Sequence, residues 1–193
     1  MTSTAHRFIY FAYGSNMSPR RLQARTPSAR AIGPASVSGY RLVFDKHGAD
    51  GSAKADCEHT GRPADQVQGA LFQIELLERP ALDAAEGAGK GYDVHCIKVL
   101  GPRGSVQALT YLATDKRPGL LPFGWYLRHV LEGARAFGLP ADYTAAIARW
   151  PTLADLDPAR EARELAIYAE PAGASQFATS ADPTTSGTMP AKP

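Results

Sequence analysis

Phe8-Ile9-Tyr10-Phe11-Ala12-Tyr13-Gly14-Ser15-Asn16 decides how the rest of this chain is read. Its first half is aromatic and β-branched, the composition of a buried strand. Its second half turns abruptly small and polar. Ser18 and Pro19 follow, a helix N-cap and a proline suited to the first helical position. A strand therefore runs into a short polar loop, and the loop feeds a helix starting at Pro19. Loops of this kind turn several backbone N–H groups one way, and the helix end adds partial positive charge. The result is a cradle for a carboxylate, a phosphate or a developing oxyanion. Taken alone, Gly14-Ser15-Asn16 reads equally as a plain turn.

Outward from that stretch, the helix stops near Thr26-Pro27, because a residue before proline resists the α conformation. From Ala31 the pattern becomes β-like, with Val37, Tyr40, Leu42 and Phe44 as its apolar positions. Residues 45–65 are polar and Gly-rich and read as a long connection holding a short strand near Lys54–Cys57. Gln66 to Ile74 reads as a strand. A short helix is expected from Arg79 or Pro80 to Glu86, with Gly87 as the residue after its end. Val94–Val99 and Val106–Thr114 form an antiparallel pair across Pro102-Arg103-Gly104. Helices are expected over Gly124–Phe137, Ala141–Trp150 and Pro158–Tyr168. Hairpins outnumber strand–helix–strand units, which predicts an α+β domain around a mainly antiparallel sheet or small barrel. The domain is placed at residues 7–170, after an extension at 1–6. The Ala/Ser/Thr/Pro-rich stretch 171–193 reads as a disordered tail.

Composition excludes several classes of function. The 21 Lys+Arg against 19 Asp+Glu leave a net charge of +2, too small a field to imply nucleic acid. No apolar run approaches the ~20 residues that cross a bilayer, so no membrane partner is expected. The first residues lack the pattern of a signal peptide, and two cysteines, Cys57 and Cys96, make no disulfide framework. The expected compartment is the cytoplasm, and the expected state a monomer or homodimer.

Glu86 is the most informative single residue. It closes the short helix, where the macrodipole favours cations, and such local violations mark functional or strained positions. Desolvation there raises a carboxyl pKa and makes it a proton shuttle near neutrality. The competing reading is a solvated surface carboxylate, or one paired with Lys90. Asp83, one turn earlier, reads as an internal acceptor bracing the loop after the helix rather than as half of a dyad. Arg20 and Arg21 read as solvent-facing. Ser15 lacks the Gly-x-Ser-x-Gly setting of a nucleophile. Cys57 with His59, and His95 with Cys96, lack the spacing of a zinc site, so no metal is expected. Trp125 reads as packing, whereas Tyr126 can both pack and turn its hydroxyl to a ligand.

The combination of Tyr10-Phe11-Ala12-Tyr13-Gly14-Ser15-Asn16 with Leu82-Asp83-Ala84-Ala85-Glu86-Gly87 resembles the γ-glutamylcyclotransferase family. Tyr111-Leu112-Ala113-Thr114, then Tyr126 ahead of Gly138-Leu139-Pro140, resembles its C-terminal portion in the same order. The resemblance spans about Arg7 to Tyr143. It implies an α+β fold around a small mixed, mainly antiparallel β-barrel flanked by helices, with the pocket at the barrel mouth. It also implies cyclisation of a small-molecule γ-glutamyl amine or γ-glutamyl amino acid to 5-oxoproline, with no cofactor. Carried over by position, Glu86 matches the catalytic acid/base. Tyr10, Phe11, Ala12, Tyr13, Gly14 and Ser15, with Asn16 closing the loop, match the segment that holds the γ-glutamyl moiety. Tyr126 matches a pocket tyrosine, with Trp125 as the competing assignment. Where many members have Tyr-Arg, this chain has Tyr92-Asp93, implying an anion in place of a cation near the pocket rim. The alternatives are a non-catalytic binder of γ-glutamyl or amino-acid ligands and an amide hydrolase using Ser15 or a cysteine.

Overall fold

The computed structural model describes residues 6–169. The readings of residues 1–5 as part of an extension and of 171–193 as a tail fall outside them. Five strands close into a barrel in the order β1-β5-β2-β6-β7: β1 is Arg7–Ala12, β2 Arg30–Ser38, β5 Gln66–Glu75, β6 Tyr92–Gly101 and β7 Gly104–Ala113. All pairings are antiparallel except the closing one, where β1 meets β7 in parallel at Tyr10↔Leu109. Tyr10, Phe11 and Ala12, on alternate faces of β1, are buried, and the strand lies between β5 and β7.

The 45–65 segment is more ordered than its composition predicts. β3 (Tyr40–His47) and β4 (Ala53–His59) pair as a separate two-stranded sheet joined by a turn at residues 48–52. Asp50 holds that turn: its carboxylate accepts from the Ser52 amide at 3.1 Å and from the Lys54 ammonium at 2.7 Å. A Gly/Asp/Ser run is flexible only until its side chains find local donors, and here they do.

Five helices flank the barrel: α1 Pro19–Arg25, α2 Arg79–Glu86, α3 Gly124–Ala136, α4 Ala141–Ala148 and α5 Pro158–Leu165. Ser18 caps α1, Pro19 begins it and Thr26 ends it. In α2 Pro80 sits in the first turn, and Gly87 takes the left-handed conformation at φ 71°, which closes the helix with Glu86 as its last residue. Leu82 is the buried residue of α2, so one side chain, worth roughly 1.5–3 kcal/mol on full burial, supplies most of its apolar anchorage. α3 crosses close over the β1–α1 loop: a Cβ at Gly133 would stand 2.3 Å from Met17 Cβ and 2.7 Å from the Ser18 nitrogen. α5 and the 3-10 turn after it, Ala166–Tyr168, are fastened across α1 and α3 by Glu164 on Arg21 and by Tyr168 on His129. Arg21 is therefore largely buried and ion-paired, a correction to its solvent-facing reading. No helix among the described residues is long and apolar enough to cross a membrane.

Candidate active site

β1 ends by turning Tyr13 and Gly14 into a single turn of 3-10 helix, Ser15–Met17. The amides of Met17 and Ser18 close that turn on the carbonyls of Gly14 and Ser15 at 2.9 and 3.2 Å. The N–H groups of Gly14 and Ser15 donate to no other described residue, and both residues line a recess. Gly14 lets the loop lie close: a Cβ there would be 3.1 Å from that of Ala55 and 3.4 Å from the Tyr126 hydroxyl.

Tyrosines wall the recess. Tyr10 meets Tyr111 edge to face at 5.8 Å, and the Tyr13 hydroxyl donates to the Tyr111 carbonyl. The Tyr92 hydroxyl donates to the Ala55 carbonyl at 2.5 Å, while the Ala55 amide donates to the Tyr126 hydroxyl at 3.0 Å. Having accepted that bond, Tyr126 keeps its own proton for a second partner. Burial raises the pKa of Tyr10, Tyr13, Tyr92 and Tyr126, so all four remain neutral donors.

Glu86 reaches this wall from the end of α2. Its Oε1 accepts from Asn16 Nδ2 and lies 3.4 Å from Arg25 Nη1, and the same Arg25 nitrogen donates to Asn16 Oδ1 at 2.7 Å. Asn16 and Arg25 thus hold one carboxylate oxygen between them. Oε2 has no hydrogen-bond partner among the described residues and is not sealed from solvent. Burial pushes the Glu86 carboxyl up from its ordinary value, and the nearby Arg25, Arg21 and Lys46 charges offset only part of that rise. Lys90 is not its partner. Asp83 braces, as expected: its Oδ1 accepts from the Tyr111 hydroxyl at 2.5 Å and from Arg79 Nε at 2.7 Å.

The recess itself is narrow, about 20 Å³, room for about one water-sized group. It opens into an outer cavity of about 450 Å³, and Ser15, Glu86, Tyr92 and Tyr126 line both. Glu86 stands at the junction of the two spaces.

Of the residues singled out from sequence, the fold gathers Glu86, Tyr10, Tyr13, Gly14, Ser15, Asn16 and Tyr126 around one space. Phe11 and Ala12 stand apart from it. Phe11 is fully buried with its ring 6.3 Å from Tyr13, and Ala12 pairs with Ala70 on β5, so both belong to the barrel core. Trp125 donates to Asp155 Oδ2 at 2.8 Å and lines only the outer cavity, which separates its place from that of Tyr126. Asp93 is exposed, on the opposite face of β6 from the buried Tyr92, so its charge does not stand at the pocket wall. Cys57 is buried, Cys96 exposed, and neither lines the recess. Among the described residues no three His, Cys, Asp or Glu gather as a metal site.

Sequence reasoning does not single out Arg25, Tyr92, Tyr111 and Ala55 as wall or partner residues. Arg25 carries no distinguishing signal, since a basic residue in a last helical turn is ordinary dipole compensation. Tyr92 and Tyr111 fall in stretches that carry the family resemblance, but an aromatic residue on a strand gives no sign that its side chain faces a pocket rather than the core.

Comparison with known proteins agrees with this geometry. Residues 66–147 match the AIG2-like family model. The chain is 31% identical over 144 residues to the γ-glutamylcyclotransferase of Homo sapiens, covering 70% of this chain and 74% of that protein. The Mus musculus γ-glutamylcyclotransferase matches at the same identity and coverage. A solved γ-glutamyl cyclotransferase structure superposes with a TM-score of 0.71 at 26% identity, over 78% of this chain and 92% of that one.

Proposed function

This chain belongs to the γ-glutamylcyclotransferase family, and we propose that it cyclises a γ-glutamyl amine or γ-glutamyl amino acid to 5-oxoproline by proton transfer through Glu86. The observation that carries this reading is the division of labour within one carboxylate. Oε1 is tied to Asn16 and Arg25, while Oε2 has no partner among the described residues on a side chain that lines both the recess and the outer cavity. A side chain oriented by one oxygen and reactive through the other fits a general base.

The reaction needs no protein nucleophile. The substrate's α-amino nitrogen attacks its own γ-carbonyl carbon, the new C–N bond forms, and the carbonyl electron pair moves to oxygen. Glu86 Oε2 takes the proton that the attacking nitrogen sheds. When the carbonyl reforms, the bond to the departing nitrogen breaks and Glu86 returns the proton to it. Amine and 5-oxoproline leave, and the carboxylate is regenerated. Burial supports both halves: a raised pKa brings the acid form within reach at the second step without preventing ionisation for the first.

The other groups hold the chain in the curled shape this attack requires, which is the main resource of an intramolecular reaction. The free amides of Gly14 and Ser15 and the available Tyr126 proton suit either the α-carboxylate or the oxyanion. The test is to incubate the protein with γ-glutamyl dipeptides and γ-glutamyl alkylamides and to measure 5-oxoproline. Release from at least one substrate is expected, and saturable binding with no turnover across the panel would overturn the reading.

A further inference from the structure

The outer cavity is strongly basic although the chain as a whole is nearly neutral. Five lysines and arginines line it (Arg21, Arg25, Lys46, Lys54 and Lys90) against two carboxylates, Glu86 and Asp115. Most of that charge is already answered. Arg21 is paired with Glu164, Lys54 with Asp50, Arg25 with Glu86, and His47 faces Asp115. Lys46 is the exception. It is only 8% exposed, and among the described residues its ammonium makes no direct hydrogen bond or ion pair, although the charges of Asp115, Glu86 and Asp50 act on it from a distance. Its stem runs across Gly91, where a Cβ would stand 2.9 Å from Lys46 Cε, and its Nζ rests 4.8 Å from the centre of the Tyr92 ring. Its Nζ is not sealed from solvent, so an ammonium on a largely buried stem and without a direct acceptor stands open to an anion that a ligand brings. Lys90, exposed on the same wall, likewise has no ion pair among the described residues.

We propose, resting on the cyclotransferase reading, that the amine half of the preferred substrate is an acidic amino acid and that Lys46 reads its side-chain carboxylate. Glu86 places the scissile amide at the join of recess and cavity, so the amine half, on the far side of that amide, extends into the basic cavity. An α-amino dicarboxylate there presents two anions to Lys46 and Lys90. A neutral amide of the same size gives Lys46 no anion to pair with directly, and a site built around a charge rejects an uncharged isostere.

The experiment measures kcat/KM for 5-oxoproline release from γ-glutamyl-glutamate, γ-glutamyl-glutamine and γ-glutamyl-ethylamide. The expected preference for glutamate over glutamine is about tenfold or more, the size of one charge-assisted hydrogen bond. Lys46→Met is expected to bring that ratio close to one, and Lys46→Arg to restore part of it. Because the readout is a ratio within each variant, a general loss of activity does not imitate it. Equal turnover of the glutamate and glutamine peptides by the unmodified protein would overturn the inference. So would a Lys46→Met variant that slows all three substrates equally, since Lys46 would then read the γ-glutamyl half. Absence of turnover on every peptide would count instead against the cyclotransferase reading.

Discussion

Glu86→Gln separates chemistry from architecture at one position. The amide oxygen of Gln can keep what Oε1 does, accepting from Asn16 Nδ2 and facing Arg25, but it puts an NH2 group where the free Oε2 stands. An acceptor of protons becomes a donor that cannot be deprotonated. General acid–base catalysis by a positioned side chain contributes about 10²–10⁴-fold, and at 1.36 kcal/mol per decade this is about 3–5 kcal/mol of transition-state stabilisation. kcat should fall by that factor while KM changes little, because the proposed mechanism assigns binding to the β1–α1 loop and the tyrosine wall. Stability should move the other way. The folded protein raises the Glu86 pKa, so it binds this proton more tightly than the unfolded chain does. Stability is then lost as pH rises from the ordinary carboxyl value through the raised one, and at neutral pH the ionised form is a net cost. A neutral isostere removes that cost, so the thermal midpoint at pH 7–8 should hold or rise. 5-Oxoproline release under single-turnover and steady-state conditions, with thermal unfolding of the same samples, measures both. A folded variant with kcat within tenfold of the parent would refute the assigned role.

Arg25→Met removes a cation that lowers the Glu86 pKa, so the acid limb of kcat/KM, which lies above the ordinary carboxyl value of 4.5, should move further alkaline. An unchanged pH profile would show that Arg25 does not act through Glu86, and Arg25→Lys should reverse part of the shift. Gly133→Ala should destabilise, although this change in a helix interior ordinarily gains ~1 kcal/mol. The new methyl meets Met17 and the Ser18 backbone, and overpacking of this kind costs about 1–3 kcal/mol or more. The readout is a lowered thermal midpoint with loss of turnover, since the loop bearing Ser15 is what must shift. Glu164, held by His129 and Arg21, has its carboxyl pulled down to about 2. Its contribution to stability is full above the ordinary value of 4.5 and lost as pH falls through about 2. Glu164→Gln should therefore lower the unfolding midpoint at pH 7 and flatten its decline between pH 5 and 2; parallel pH curves for the two proteins would contradict this.

Much of the fold was legible because the signals that set it are local. Ser18, Pro19 and the Thr26-Pro27 step delimit α1, Pro80 and Gly87 delimit α2, and neither depends on distant residues. The same locality brought out Glu86, which is conspicuous as an acid at a helix C-terminus whatever the rest of the chain does. The β3–β4 hairpin was harder to see, since its order comes from Asp50 finding Ser52 and Lys54 once the turn exists.

By itself, then, the sequence determined the ends of α1 and α2, the polar loop after β1, and the acid that closes α2. Only the tertiary structure decided that β1 lies between β5 and β7, which brings that loop to the end of α2. Only it chose Arg25 over Lys90 as the partner of Glu86, turned Asp93 outward, and left Lys46 largely buried with no direct ion pair among the described residues. The reason is range. Caps, breakers and strand alternation act over a few residues, whereas a partner 61 positions away is chosen by how the barrel closes and which side chains it leaves facing one cavity.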